Sequence, residues 1–236
     1  MASLLVPKFV KEILDWLLQQ PDPNQSCDHI FLAARCVGEV RNRGELGSTE
    51  ALVRQATKDL IGFYFEDSDI PLKPVELVAD VWKDDPDTLP WIKEHIHSHQ
   101  NEVVRISMVV VLFGGWEEDP DNLIILKECA QSDEHWRVRL VLLTSLARFC
   151  KNEPDTLAIL KKHAQSDEAD VVRKNLVEVL ARDWKDHPET LAILKELALS
   201  DEADEVRKSA VRELAHGWKD DPGIQAFLKG LPDYPA

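Results

Sequence analysis

Five prolines stand 34 residues apart: Pro86, Pro120, Pro154, Pro188 and Pro222. Arg105, Arg139, Arg173 and Arg207 keep the same step, as do Ser98, Ser132, Ser166 and Ser200. A fixed period of this length comes from stacked copies of one supersecondary unit, each burying its apolar face only against its neighbours. The same fact makes recurring residues poor guides to function, because stacking alone accounts for most of them.

The copy that starts at Pro154 shows the unit. Proline suits the first position of a helix, where its missing N–H costs nothing. Asp85, Asp119 and Asp221 precede the proline in other copies and are placed to cap that helix. Leu157, Leu160 and Ala164 then form an apolar stripe at helical spacing. Ser166-Asp167-Glu168 is expected to end the first helix and cap a second, whose stripe is Val172, Leu176, Val177, Leu180 and Ala181. Trp184 closes it. Each copy is thus predicted to be two antiparallel helices of about 10 and 15 residues.

Residues 1–72 do not carry the period. They read as three longer helices over 3–20, 26–42 and 48–64, separated by the Pro-rich segment 21–23 and a Gly-bounded turn at 44–47. An irregular connector over 66–74 and a short helix over 74–82 follow. The expected organisation is an N-terminal helical cap or junction over 1–72, a repeat array over 73–230 and a tail over 231–236, in one continuous solenoid. The fold class is all-α, a right-handed α-α superhelix of 34-residue helix pairs.

A net charge of −15 argues against a general affinity for nucleic acid. The four cysteines, Cys27, Cys36, Cys129 and Cys150, form no Cys-x-x-Cys pair. They read as buried thiols of a reducing compartment. Lys8, Lys11, Glu12 and Asp15 interrupt the apolar N-terminus, so it does not read as a signal peptide. No apolar run approaches the roughly 18 residues of a membrane span. These features place the chain in the cytoplasm, away from membranes.

Two helical repeat families come into question. Tetratricopeptide repeats share the period, but the Ser166-Asp167-Glu168 break falls where their first helix still runs. Met108, Leu142, Leu176 and Ala210 occupy the crossing where that family needs small residues. The short first helix, the Asp in the turn and the Val-Arg opening of the second helix resemble HEAT repeats instead. Asp133, Asp167 and Asp201 with Arg139, Arg173 and Arg207 match the HEAT ladder of turn acid and helix arginine, and Arg105 continues it. His99 replaces the acid in the first clear copy, where the ladder is expected to be weaker.

Phe31-Leu-Ala-Ala-Arg-Cys-Val-Gly-Glu-Val-Arg-Asn-Arg43 resembles the segment after the NTPase module of cyanobacterial NACHT proteins. Trp-Lys-Asp-Asp-Pro-Asp-Thr-Leu-Pro-Trp at 82–91 and Gln-Ser-Asp-Glu at 131–134 resemble their HEAT array. The resemblance implies the C-terminal sensor or interaction platform of a signalling NTPase. It does not carry over the NTPase activity, since the sequence has no Gly-x-x-x-x-Gly-Lys-[Ser/Thr] phosphate loop.

Several constellations have a plain structural reading. His95 and His99 share a helix face and His97 does not, and later copies repeat no ligand pattern, so they read as surface histidines rather than a metal site. Trp82, Trp116, Trp184 and Trp218 recur at helix ends and read as packing residues. Cys150 fills that slot once and reads as a structural thiol rather than a nucleophile. No cofactor and no catalytic residue is expected.

The informative positions recur in place but vary in type. One, five and nine residues after each ladder arginine, they read Ile106/Val110/Gly114, Leu140/Thr144/Arg148, Lys174/Glu178/Arg182 and Lys208/Arg212/His216. The face drifts from apolar to basic. Ile106, Leu140, Arg148, Lys174, Arg182, Lys208, Arg212 and His216 are therefore the expected partner-binding residues, on the concave second-helix face. The reading that follows is a non-catalytic interaction module. Its partner is a protein, or an NTPase domain of the same polypeptide. An alkylpurine DNA glycosylase of HEAT-like build, with Trp136 beside the basic stripe, and a bilin-lyase-like HEAT protein stay open as alternatives.

Overall fold

A computed structural model describes residues 6–20, 27–63 and 72–231. The described residues form thirteen α-helices and one 3-10 helix, with no strand. The chain falls into two compact units, residues 1–122 and 123–236.

The first unit contains α1 (Pro7–Leu18), α2 (Asp28–Gly38), the 3-10 helix Arg43–Leu46, α3 (Ser48–Phe63), α4 (Leu72–Val81), α5 (Thr88–Ser98) and α6 (Glu102–Gly115). α1 packs on α2, α3 on α4 and α5 on α6, while α2, α4 and α6 form a second row. The N-terminal helices thus follow the same pairwise alternation without the repeat's wording, because packing asks only for apolar stripes at helical spacing. The helices expected over 3–20, 26–42 and 48–64 are present, and α1 stops at Leu18. The outermost residues of those spans, the segment 21–23, the connector up to 71 and the tail 232–236 lie outside the described residues. α2 stops at Gly38, and the expected 44–47 turn is largely the 3-10 helix, anchored by fully buried Leu46 and ended by Gly47 at φ +57°.

The seam to the first clear copy is polar. Arg43 donates to the Val81 carbonyl, Arg54 pairs with Asp85, and the indole of buried Trp82 donates to Glu50 at 3.2 Å. Lys58 sits 4.7 Å over the Trp91 ring.

The second unit contains α7 (Asn122–Ser132), α8 (Trp136–Phe149), α9 (Thr156–Ser166), α10 (Asp170–Asp183), α11 (Pro188–Ser200), α12 (Asp204–Gly217) and α13 (Pro222–Lys229). α9 packs on α10 and α11 on α12, and the second helices α8, α10 and α12 stack in a row. Leu142, Leu143, Leu146, Leu160, Leu176, Leu180, Leu194 and Leu214 are fully buried there. Each contributes about 1.5–3 kcal/mol of apolar burial.

Three local expectations need correction. Of the five periodic prolines, only Pro188 and Pro222 open a helix; Pro86, Pro120 and Pro154 lie in the preceding turn. Asp221 does cap its helix, accepting from Gly223 and Ile224, whereas Asp85 and Asp119 close turns onto Asp87 and Asp121. The recurring serine caps nothing. Ser98, Ser132, Ser166 and Ser200 end their helices and donate back to the carbonyls of Glu94, Glu128, Lys162 and Glu196. Local carbonyls within reach of a hydroxyl compete with any cap.

The turn acid closes the three-residue link between paired helices. Asp133, Asp167 and Asp201 accept the N–H of His135, Ala169 and Ala203 at 2.8, 3.0 and 2.8 Å. His99 does the same work in the copy that lacks the acid: its Nδ1 accepts from Asn101 at 3.1 Å. The ladder arginine then reaches back to two turn carbonyls. Arg139 donates to Asp133 and Glu134, Arg207 to Asp201 and Glu202, and Arg105 to His99 and Gln100.

The same guanidinium also reaches forward. Arg139 grips the Asp167 carboxylate of the next copy in a bidentate pair at 2.9 and 2.7 Å, and Arg173 grips Asp201 at 2.9 and 2.9 Å. The side chains of Arg139 and Asp167 are 6% and 1% exposed. Burial by itself would raise the Asp167 carboxyl. Hydrogen bonds from His163, Arg139 and the Ala169 N–H outweigh it and hold the group well below the usual carboxylate range.

Asp167→Asn leaves the buried Arg139 with only the exposed Glu168 as counter-charge, and should cost about 2–4 kcal/mol in urea unfolding at pH 7. The folded-state pKa is depressed, so this stability is fully present above the unfolded value near 4 and drains away as pH falls below it. The gap between wild type and variant should therefore be constant from about pH 5 upward and close on acidification.

Candidate functional site

The second helices α8 and α10 flank a cleft of about 610 Å3. Thr144, Ser145, Arg148, Phe149 and Lys151 line one side, and Asn175, Glu178, Arg182 and Asp183 the other. Four drift positions, Thr144, Arg148, Glu178 and Arg182, thus come from two successive copies to one opening. All twelve drift positions are half-buried or exposed. Helical spacing of four residues puts them on the flank of the core stripe, where a copy can vary without disturbing the stack.

The floor is occupied by its own helices. Thr144 and Ser145 donate to Val141, and Asn175 donates to Val171. These side chains shape the cleft while their protons stay on the backbone.

The cations divide into two kinds. Those of α10 and α12 are neutralised on the spot. Arg212 pairs with Glu178 at 2.7 Å and with Glu213 at 3.2 Å, and Arg182 pairs with Asp183 at 2.7 Å. Lys208 pairs with Asp204 at 2.6 Å, and Lys174 lies 3.9 Å from Glu205. Hydrogen bonds to Asp183 raise Arg182, and those to Glu178 and Glu213 raise Arg212. The face anticipated as a basic groove is therefore a mixed-charge lattice along α10 and α12.

Arg148 and Lys151 differ. Arg148 lies 5.2 Å from the centre of the Phe149 ring and Lys151 lies 5.3 Å over Trp184. Neither has a carboxylate partner among the described residues. Phe149 is 52% exposed beside them. His216 and Leu140 lie outside this opening, and Ile106 belongs to the first unit.

Lys151 and Phe149 were not among the residues expected from sequence. A signal existed: the position after each tryptophan slot reads Lys83, Glu117, Lys151, Lys185 and Lys219. Lys185 repeats the arrangement 5.5 Å over Trp218. A second recurrence also passed unread. Lys93, Lys127 and Lys161, again 34 residues apart, tie each first helix to an acid at or just ahead of the start of the next: Asp119, Asp155 and Glu189.

Other candidates resolve into structure. His95 directs Nδ1 to the Trp91 carbonyl at 2.8 Å, and His97 is exposed. Burial and then the neighbouring His95 lower His99. Among the described residues no three ligating side chains converge on one point. Trp136 stacks beside His135, carries Arg137 at 5.5 Å and does not line the cleft. Among the described residues no helix is long and apolar enough to cross a membrane.

Residues 89–181 and 133–215 match the family model for HEAT repeats, and together span more than half of the 236 residues. No curated protein and no solved structure matches the chain.

Burial, with Glu153 adding to it against Lys127, raises the half-buried Cys150 thiol, so it should stay protonated near neutrality. Iodoacetamide should alkylate Cys150 several-fold more slowly at pH 7.5 than an unperturbed thiol of pKa near 8.5, as read by peptide mass spectrometry. A rate equal to or above that of a model thiol would revive a nucleophilic role.

Proposed function

The chain belongs to the HEAT-repeat family, and from that membership we propose that it works as a non-catalytic, repeat-based protein-interaction scaffold. The cleft between α8 and α10 is its docking site. One observation carries this reading: in a chain of net charge −15, Arg148 and Lys151 stand together at an opening with aromatic but no carboxylate partners. A cation left without an acid amid so many acids is a place for an acid from outside.

The partner presents a carboxylate to Arg148 and Lys151 and an apolar side chain to Phe149. Arginine and an exposed aromatic side by side are the residue types that anchor interfaces. The overall negative charge meanwhile draws in partners that are basic elsewhere on their surface. Arg212 and Lys174 pair across α10 and α12, while Arg182 and Lys208 are neutralised within their own helices. The resemblance of 31–43 and 82–91 supports placing this scaffold as the sensor part of a NACHT-like signalling system in the cytoplasm, with the NTPase module or a separate protein as its partner.

Peptides selected from a random display library against the whole chain test the docking site. Those enriched should combine Asp or Glu with an aliphatic or aromatic neighbour. Arg148→Glu/Lys151→Glu should weaken their binding by at least about ten-fold in calorimetric titration, with little change in thermal midpoint. Reversal at Arg212 should instead lower stability, because it sets a like charge against Glu178. Equal affinity of the double variant for every enriched peptide would remove the cleft from consideration.

A further inference from the structure

The first helix carries two apolar faces, and only one is covered. Val10, Leu14 and Leu17 are buried at 2%, 0% and 4%, packed toward α2 and α3. Val6, Phe9, Ile13 and Trp16 recur at steps of three and four residues, and remain 54%, 61%, 48% and 60% exposed. Single exposed apolar side chains are ordinary, whereas four in one stripe form a patch of the kind that marks an interaction site.

α1 sits at the end of a row. In the first unit α3 packs against it from one side, as α11 packs against α9 in the second unit.

We infer that the exposed stripe of α1 docks against the same stripe of a second copy of this chain, the two helices crossing antiparallel about a two-fold axis. The stripe is symmetric about position 11, so Val6 meets Trp16 of the second copy and Phe9 meets Ile13. An isologous contact needs such a self-complementary patch. Charge agrees with it. A two-fold axis brings like edges of the helices together, and one exposed edge carries Lys8 in the first turn and Glu12 in the next. Lys8 of each copy then lies within about one turn of Glu12 of the other.

The area fits a weak contact. At roughly 150–250 Å2 for a fully buried aromatic side chain, covering the four side chains removes on the order of 400 Å2 from each copy. That is about half of the ~800 Å2 each partner brings to a standard interface, which places the contact in the range of weak, reversible association.

The inference is independent of the α8–α10 cleft, and its failure would leave that site untouched. Sedimentation equilibrium of the full chain, over about 1–100 µM, should show a species of twice 26.8 kDa with a micromolar dissociation constant. Phe9→Glu/Trp16→Glu should weaken the dimer by about a hundred-fold, with helical circular dichroism unchanged, since both sites are exposed. Lys8→Glu alone should weaken it about three- to ten-fold, and Lys8→Glu/Glu12→Lys should restore it, whatever the aromatic variant does. A monomer across the whole range overturns the inference. So does a dimer that survives Phe9→Glu/Trp16→Glu, or one indifferent to Lys8→Glu.

Discussion

Arg139 and Arg173 each belong to two copies at once. Each guanidinium satisfies the turn carbonyls of its own copy, which the end of the first helix leaves without partners. It then extends its remaining donors to the turn carboxylate of the next copy, as Arg139 does to Asp167 and Arg173 to Asp201. That carboxylate closes its own turn through a backbone N–H. One interaction thus fixes the angle between paired helices and the register between neighbouring pairs. Neither partner is dispensable, because a buried charge left alone costs far more than a buried pair contributes.

The consequence for the surface is a division of labour. Core leucines and the ladder hold the stack, so the flanking positions of each second helix are released from structural duty. Those of α10 and α12 have become a lattice of mutual ion pairs. At the end of α8 the lattice stops, and Arg148 and Lys151 rest on aromatic rings instead. Site and scaffold are built from the same repeating positions and differ only in which partner each cation finds.

Much of this was legible in the sequence because the copies can be laid over one another. The helix pairs, the ladder members and the drifting positions all follow from the 34-residue step. What the step cannot show is direction. In a periodic chain an acid six residues before an arginine implies another acid 28 residues after it, and either can be the partner. Arg173 uses both, the carbonyl of Asp167 and the carboxylate of Asp201. Neutralisation was hidden for a similar reason: Glu178 and Arg212 occupy the same slot one copy apart. The pairing of α3 with α4 was illegible because close packing constrains volume and spacing, not residue identity.

Arg207 settles its charge differently. It keeps its two turn carbonyls and, with Asp204 in its own helix at 3.1 Å, settles its charge within its own copy. A rung that satisfies itself in this way needs no acid from a following copy. Tandem duplication or deletion of one 34-residue cassette would then recreate the same internal joints. Array length is a parameter on which gene-level copying can act freely, and the reach of the binding surface can lengthen or shorten by whole copies while the fold stays intact.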